Sequence, residues 1–198
     1  MSFDLRLKPY ITFNNTLSIG DIYNRRINSE SPSDILVFVH DDVWIEDFFL
    51  ADHVLQGLEQ YDIIGVAGNT TRVPYQASWV LTKIDNKIVT DEKNISGAVA
   101  HGEHPFGEVG FFGNVPASCE LLDGVFLAGK KSKLKAANVL FDPIFKFHFY
   151  DLDFCRTARQ NNLRLGTWHI PITHQSTGNF GSPECTAMYI AYIQKWKD

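Results

Sequence analysis

Ser33-Asp34-Ile35-Leu36-Val37-Phe38-Val39-His40-Asp41-Asp42-Val43-Trp44-Ile45 is the stretch on which the fold turns. Ile35 to Val39 has the length and β-branching of a strand buried on both faces, and it ends abruptly in three polar residues. Downstream, Ile45, Phe48, Ala51, Leu55 and Leu58 form the apolar stripe of a helix over about Trp44 to Gln60. Ile63 to Ala67 is a second buried strand, ended by Gly68-Asn69. Strand, helix, strand implies a βαβ crossover, and so an α/β fold with a mostly parallel sheet flanked by helices.

Upstream of the decisive stretch, Ile19, Ile22, Tyr23 and Ile27 recur at helical spacing behind Ser18, a capping residue, with Asp21 as a first-turn acid. In the middle of the chain, Trp79 to Lys83 and Lys87 to Thr90 flank Ile84-Asp85-Asn86 as a small antiparallel hairpin. Gly97 to Gly113, rich in Gly and His, reads as a mobile loop over a site. Val125 to Ala128 is expected to be a strand, with a short helix from Ser132. Asp151 to Asn162 is expected to be helical, with a strand from about Arg164 to Ile170 and a polar loop over Pro171 to Gly181. A last amphipathic helix, about Pro183 to Lys197, carries Met188, Ile190, Tyr192 and Trp196.

With 198 residues and 44% hydrophobic content, the chain is long enough to bury one sizeable core, so residues 1–198 are read as a single domain and disorder is excluded. A net charge of −5 without a basic run removes the electrostatic drive for nucleic-acid binding. No apolar stretch approaches the roughly 20 residues of a transmembrane segment, and Met1-Ser2-Phe3-Asp4 opens no signal peptide, so a soluble, cytoplasmic protein is expected. Cys119, Cys155 and Cys185 are odd in number and lack CxxC spacing, which argues against disulfides and a thiolate zinc site. The 15 Phe are read chiefly as core, a carbohydrate-handling surface being the other use for them.

Three constellations carry chemistry. His40-Asp41-Asp42 stands at the carboxyl end of a strand, where open α/β sheets place their ligands and where carboxylates can hold a hard divalent cation. The alternative is that both acids cap the next helix. Asp151 and Asp153 open a helix, suited to a general base and a hydroxyl-orienting acid, or else to complementing the helix dipole, with Asp153 pairing to Arg156. His174, in the loop Pro171 to Gly178, is either a surface residue or the nitrogen of a mixed O/N metal set, which suits Mn²⁺ better than Mg²⁺. His101, Glu103 and His104 have near-metal spacing within the Gly-rich segment. No GxGxxG, Walker loop or GxSxG elbow is present, against a dinucleotide dehydrogenase, a P-loop ATPase and a serine hydrolase.

The order of these sites resembles the GT-A glycosyltransferases, in particular the family 2-like enzymes of bacterial surface and capsule polysaccharides. Ser33 to Ile45 is similar to the strand that delivers their DxD motif, with His40 in the first-Asp place and Asp42 in the second. Leu17 to Asn24 is similar to the helix before that strand. Leu122-Asp123-Gly124-Val125-Phe126-Leu127-Ala128 resembles their DG strand. Tyr150-Asp151-Leu152-Asp153 resembles their ED-x-D segment, with Tyr150 in place of the usual Glu. Asn161 to Leu165 resembles the turn and strand after that helix, and Thr173 to Gly178 the segment with a late metal-binding His. These enzymes open with a strand and loop that receive the nucleotide base. Met1 to Lys8 is too short for a strand and its helix, so the first βα unit is expected to be missing or replaced.

The resemblance implies a metal-dependent, inverting sugar transfer. The donor is a nucleoside-diphosphate sugar, UDP favoured, and the acceptor a glycan or lipid-linked glycan, with the protein cytoplasmic or peripheral to the inner membrane face. It implies Asp151 as catalytic base, Asp42 with His174 and Asp41 as ligands of Mn²⁺ or Mg²⁺, His40 and Asp41 on the donor side, and Asp123, Gly124 and Asp153 on the acceptor side. Two rivals stay open: a nucleotide- or glycan-binding remnant of the same fold without turnover, and a metal-dependent phosphoryl-transfer enzyme.

Overall fold

The computed structural model describes residues 4–85, 87–176 and 181–198. Helix α1 (Ile19–Ile27) leads into strand β1 (Ile35–Val39), followed by β2 (Val43–Ile45), helix α2 (Leu50–Gln60), β3 (Ile63–Gly65) and β4 (Ala67–Asn69). Then come β5 (Leu81–Ile84), β6 (Lys87–Thr90), β7 (Ile95–His101), β8 (Glu108–Gly113), β9 (Ala117–Cys119), β10 (Leu121–Leu122), β11 (Phe126–Lys130) and helix α3 (Lys131–Ala136). Helix α4 (Tyr150–Gln160), β12 (Leu165–Thr167), β13 (Ile172–His174) and helix α5 (Pro183–Trp196) complete the order. Regular structure starts at α1, and residues 4–18 ahead of it add no strand or helix. Among the described residues no helix is long and apolar enough to cross a membrane.

The first sheet is 5-stranded, in the order β1-β11-β3-β12-β9. Strands β1 and β3 run the same way, as the βαβ reading requires, but β11 lies between them and is antiparallel to both. Only β3 and β12 pair in parallel within this sheet, so the architecture is α/β with mixed rather than mostly parallel sheets. Strand β1 is therefore an edge strand, and of its residues only Phe38 is buried; in this sheet the strands buried along their length are β3 and β12. The second sheet runs β10-β4-β7-β13-β2, with β8 paired to β7. The backbone crosses from one sheet to the other at Val66, between β3 and β4, and at Glu120, between β9 and β10. The expected small hairpin forms as β5 and β6, with Asn86 outside the described residues.

Two expectations are corrected here. Val43-Trp44-Ile45 does not start a helix but pairs with β13, as its β-branched and aromatic residues allow. Asp47 Oδ1 then accepts from Phe49 N–H (2.8 Å), and α2 begins at Leu50 with Leu50, Val54, Gly57 and Leu58 inward, leaving Phe48 and Leu55 exposed. Gly97 to Gly113 is not a loose loop either, because most of it is the hairpin of β7 and β8. Its glycines serve close approach: a Cβ on Gly97 would stand 2.1 Å from the Val66 carbonyl oxygen, and one on Gly113 2.2 Å from that of Ile95. Gly97 also sits at φ +118° beside a β-bulge. Gly97→Ala is expected to cost at least about 2 kcal/mol, roughly 4–8 °C in Tm for a chain of this size, read by thermal unfolding. An unchanged melting temperature would refute this account of the sheet junction.

The aromatic content divides between core and surface. Phe126, Phe141, Phe145, Phe154 and Tyr192 are fully buried, with Phe141 and Phe154 stacked at 3.9 Å, whereas Phe13, Phe106 and Phe111 face solvent. Helix α1 is capped as expected, Ser18 Oγ accepting from Asp21 N–H (2.9 Å), and docks where Asn24 bonds both polar backbone atoms of Phe141. On α5, Met188, Tyr192 and Trp196 share one face at spacings of four, so Ile190, two positions off, points outward.

Candidate functional site

The site forms where β1, the turn before β11, the start of α4 and the end of β13 converge. Antiparallel pairing sets Val39 opposite Phe126, and His40 N–H continues the ladder by donating to Val125 O (3.2 Å). His40 is thereby carried to the Asp123-Gly124-Val125 turn. Across the other sheet, Val43 pairs with His174, and Gln175 N–H donates to Asp42 O (2.9 Å). Asp42 and His174, 132 positions apart in the chain numbering, become neighbours, with Nε2 of His174 at 3.2 Å from Asp42 Oδ1.

One ligand atom from each of His40, Asp42 and His174 lies within 4.8 Å of the others, and among the described residues this is the only such group of three metal-ligating side chains. Asp41 is not part of it. Adjacent residues in a turn diverge, and Asp41 projects outward as an exposed side chain that acts only through its charge, on Tyr23 and His40. His40 takes the third position, which the sequence reading assigned to the donor side. His101, Glu103 and His104 do not cluster; His101 ends β7 with its ring 5.8 Å from that of His174. Of the loop after His174, Thr177 and Gly178 lie outside the described residues.

The electrostatics suit a cation. Burial holds the His40 imidazole below its ordinary pKa, aided by His174 and opposed by Asp123, Asp42 and Asp41, so the ring is kept neutral. Partial burial would raise Asp42, but the Ser176 hydroxyl, His174 and His40 outweigh it and hold the carboxyl below its usual range. A neutral imidazole beside an ionised carboxylate is the protonation state a metal needs.

On the other side of the Asp123 turn, α4 starts from Phe149 in the left-handed region (φ 66°). The hydroxyl of Tyr150 lies 3.0 Å from Gly124 O and 2.7 Å from His40 Nε2. Asp151 accepts from Gly124 N–H (3.0 Å) and Leu152 N–H (2.9 Å). Although the residue keeps an open edge, its carboxyl is enclosed by protein, and burial together with the Asp123 charge pushes its pKa up to about 7 against those two N–H groups. Asp123 is held by Val125 N–H (2.8 Å) and by the Trp79 indole N–H.

Asp153 stands apart from these residues. It is fully buried, with its oxygens bonded to Lys195 Nζ (2.7 and 2.9 Å) and Trp196 Nε1 (2.9 Å), so it ties α4 to α5. Arg156, its expected partner, is bonded to Asp198 instead (2.6 Å). The reading also missed Tyr150 as a contact of His40; no local pattern links residues 110 positions apart.

No curated protein is similar enough to this chain to count as a match. A family model does match, over residues 8–183, a span that holds every residue of the site from His40 to His174. The chain belongs to that family, described as a glycosyltransferase-like family.

Proposed function

We propose that this chain transfers a sugar from a nucleoside-diphosphate sugar to a glycan hydroxyl, with inversion and with dependence on a divalent metal. The observation that carries the reading is the grouping of His40, Asp42 and His174 at the end of β1, with His40 linked through the Tyr150 hydroxyl and then Gly124 to the enclosed carboxyl of Asp151. Two imidazoles and one carboxylate fit Mn²⁺ better than the oxygen-preferring Mg²⁺. Such an ion, when bound, neutralises charge on the departing diphosphate.

Asp151 takes the proton of the acceptor hydroxyl as its oxygen bonds to the anomeric carbon. The bond from that carbon to the diphosphate breaks on the opposite face, a single displacement that inverts configuration. A carboxyl with its pKa near 7 is well matched to that task at neutral pH. Asp41 borders the donor side, and Asp123 and Gly124 border the acceptor side.

The test is a transfer assay with uridine-diphosphate sugars first, a glycan acceptor and Mn²⁺. Release of the nucleoside diphosphate with transfer of its sugar, abolished by EDTA and restored by Mn²⁺, is expected. Binding of nucleotide without turnover on any donor, or release of inorganic phosphate, would overturn the proposal in favour of a non-catalytic remnant or a phosphoryl-transfer enzyme.

A further inference from the structure

We propose that Tyr150 is a positioning residue for the metal site, its hydroxyl locking His40 in the Nε2–H tautomer so that Nδ1 is the ring's free lone pair. The inference rests on the metal reading above and concerns a residue outside the ligand set. Tyr150 is only 3% exposed, and its hydroxyl has two partners, Gly124 O at 3.0 Å and His40 Nε2 at 2.7 Å. A carbonyl oxygen can only accept, so the single phenolic proton goes to Gly124. The hydroxyl oxygen then accepts from His40, which places a proton on Nε2. The reverse arrangement would leave a buried carbonyl facing a lone pair, desolvated and without a donor.

The phenol is itself rigidly held. Phe141 and Tyr23 pack around its ring, at 6.0 and 6.2 Å between centroids. Gly124 is gripped at both ends by consecutive residues of α4, its carbonyl by Tyr150 and its N–H by Asp151. Position 124 has no room for a side chain, because a Cβ there would lie 2.2 Å from the Tyr150 hydroxyl oxygen. The same turn of α4 therefore orients a ligand of the metal site and the carboxyl proposed as base. A ligating histidine generally has its second ring nitrogen fixed in this way, and loss of the fixing partner typically weakens metal affinity 10- to 100-fold.

Two measurements test it. Free Mn²⁺ followed by electron paramagnetic resonance gives the Kd of wild type and of Tyr150→Phe, which removes only the hydroxyl; a rise in Kd of about 10- to 100-fold is expected. Long-range ¹H–¹⁵N NMR of the metal-free wild type is expected to report His40 as the Nε2–H tautomer, and needs no variant to fold. An equal Kd in the two proteins, or His40 found as Nδ1–H, overturns the role of Tyr150 while the metal site stands. Failure of wild type to bind Mn²⁺ at all would instead overturn the site reading on which the inference rests.

Discussion

Asp151→Asn is expected to lower turnover by about a hundredfold to ten-thousandfold while leaving donor affinity nearly unchanged, the usual loss when a general base is removed. Burial, then the neighbouring Asp123 charge, raises the Asp151 pKa to about 7, and the N–H groups of Gly124 and Leu152 hold the carboxyl in place. The base works ionised, so the rate of the wild type should climb with pH through an acid limb near 7 and level off above it. Asp123→Asn removes the like charge and should move that limb to lower pH. Stability has the opposite sign. The native chain binds this proton more tightly than the unfolded chain does, so the contribution of Asp151 to stability falls as pH rises from about 4 to about 7. An amide at position 151 must present its NH₂ to one of the two N–H groups, so donor affinity and melting temperature serve as checks on folding. A variant with full turnover would exclude Asp151 as the base.

Asp42→Ala is the second large effect. It removes the only carboxylate of the three-residue cluster, and Mn²⁺ affinity should fall by more than the 10- to 100-fold that loss of a supporting residue costs, with turnover falling alongside. Asp41→Ala is the matched control, because Asp41 is exposed and outside the cluster, and its Mn²⁺ Kd should stay within about twofold of wild type. Isothermal titration with Mn²⁺ reads both. Equal affinities for wild type and Asp42→Ala would remove the cluster as a metal site; a large loss in Asp41→Ala would restore the carboxylate pair first read from the sequence.

Much of this was legible in the residues before any fold was seen. The run Ile35 to Val39 is β1, Ser18 does cap α1, Asp151 and Asp153 do open α4, and helices stand where α2 and α5 were expected, α2 with a different inward face. Those signals are local: a cap acts on the next three residues and a helical stripe repeats every three to four. The misreadings arose where a local pattern had two physical uses. Glycine density over Gly97 to Gly113 suggested looseness, but glycine also permits close backbone contact, and Val66 and Ile95 approach too closely for any side chain. Trp44 and Ile45 fit a helical stripe as well as a strand, and only pairing with Ile172–Thr173 decided the matter.

The site divides along the same line. The sequence by itself determined which residues could do chemistry, a polar triplet at a strand end, a pair of acids opening a helix and one histidine late in the chain, because residue type and strand or helix period are properties of neighbours. Tertiary structure decided which of them meet. It drew His40 rather than Asp41 into the set with Asp42 and His174, turned Asp153 away to Lys195 and Trp196, and brought Tyr150 against His40. The physical reason is that these contacts are long-range: strand pairing, β1 with β11 and β2 with β13, brings the ligand set together, and the packing of α5 on α4 holds Asp153. Register, set by burying the whole core at once, fixes which side chains meet, and no window along the chain contains that information.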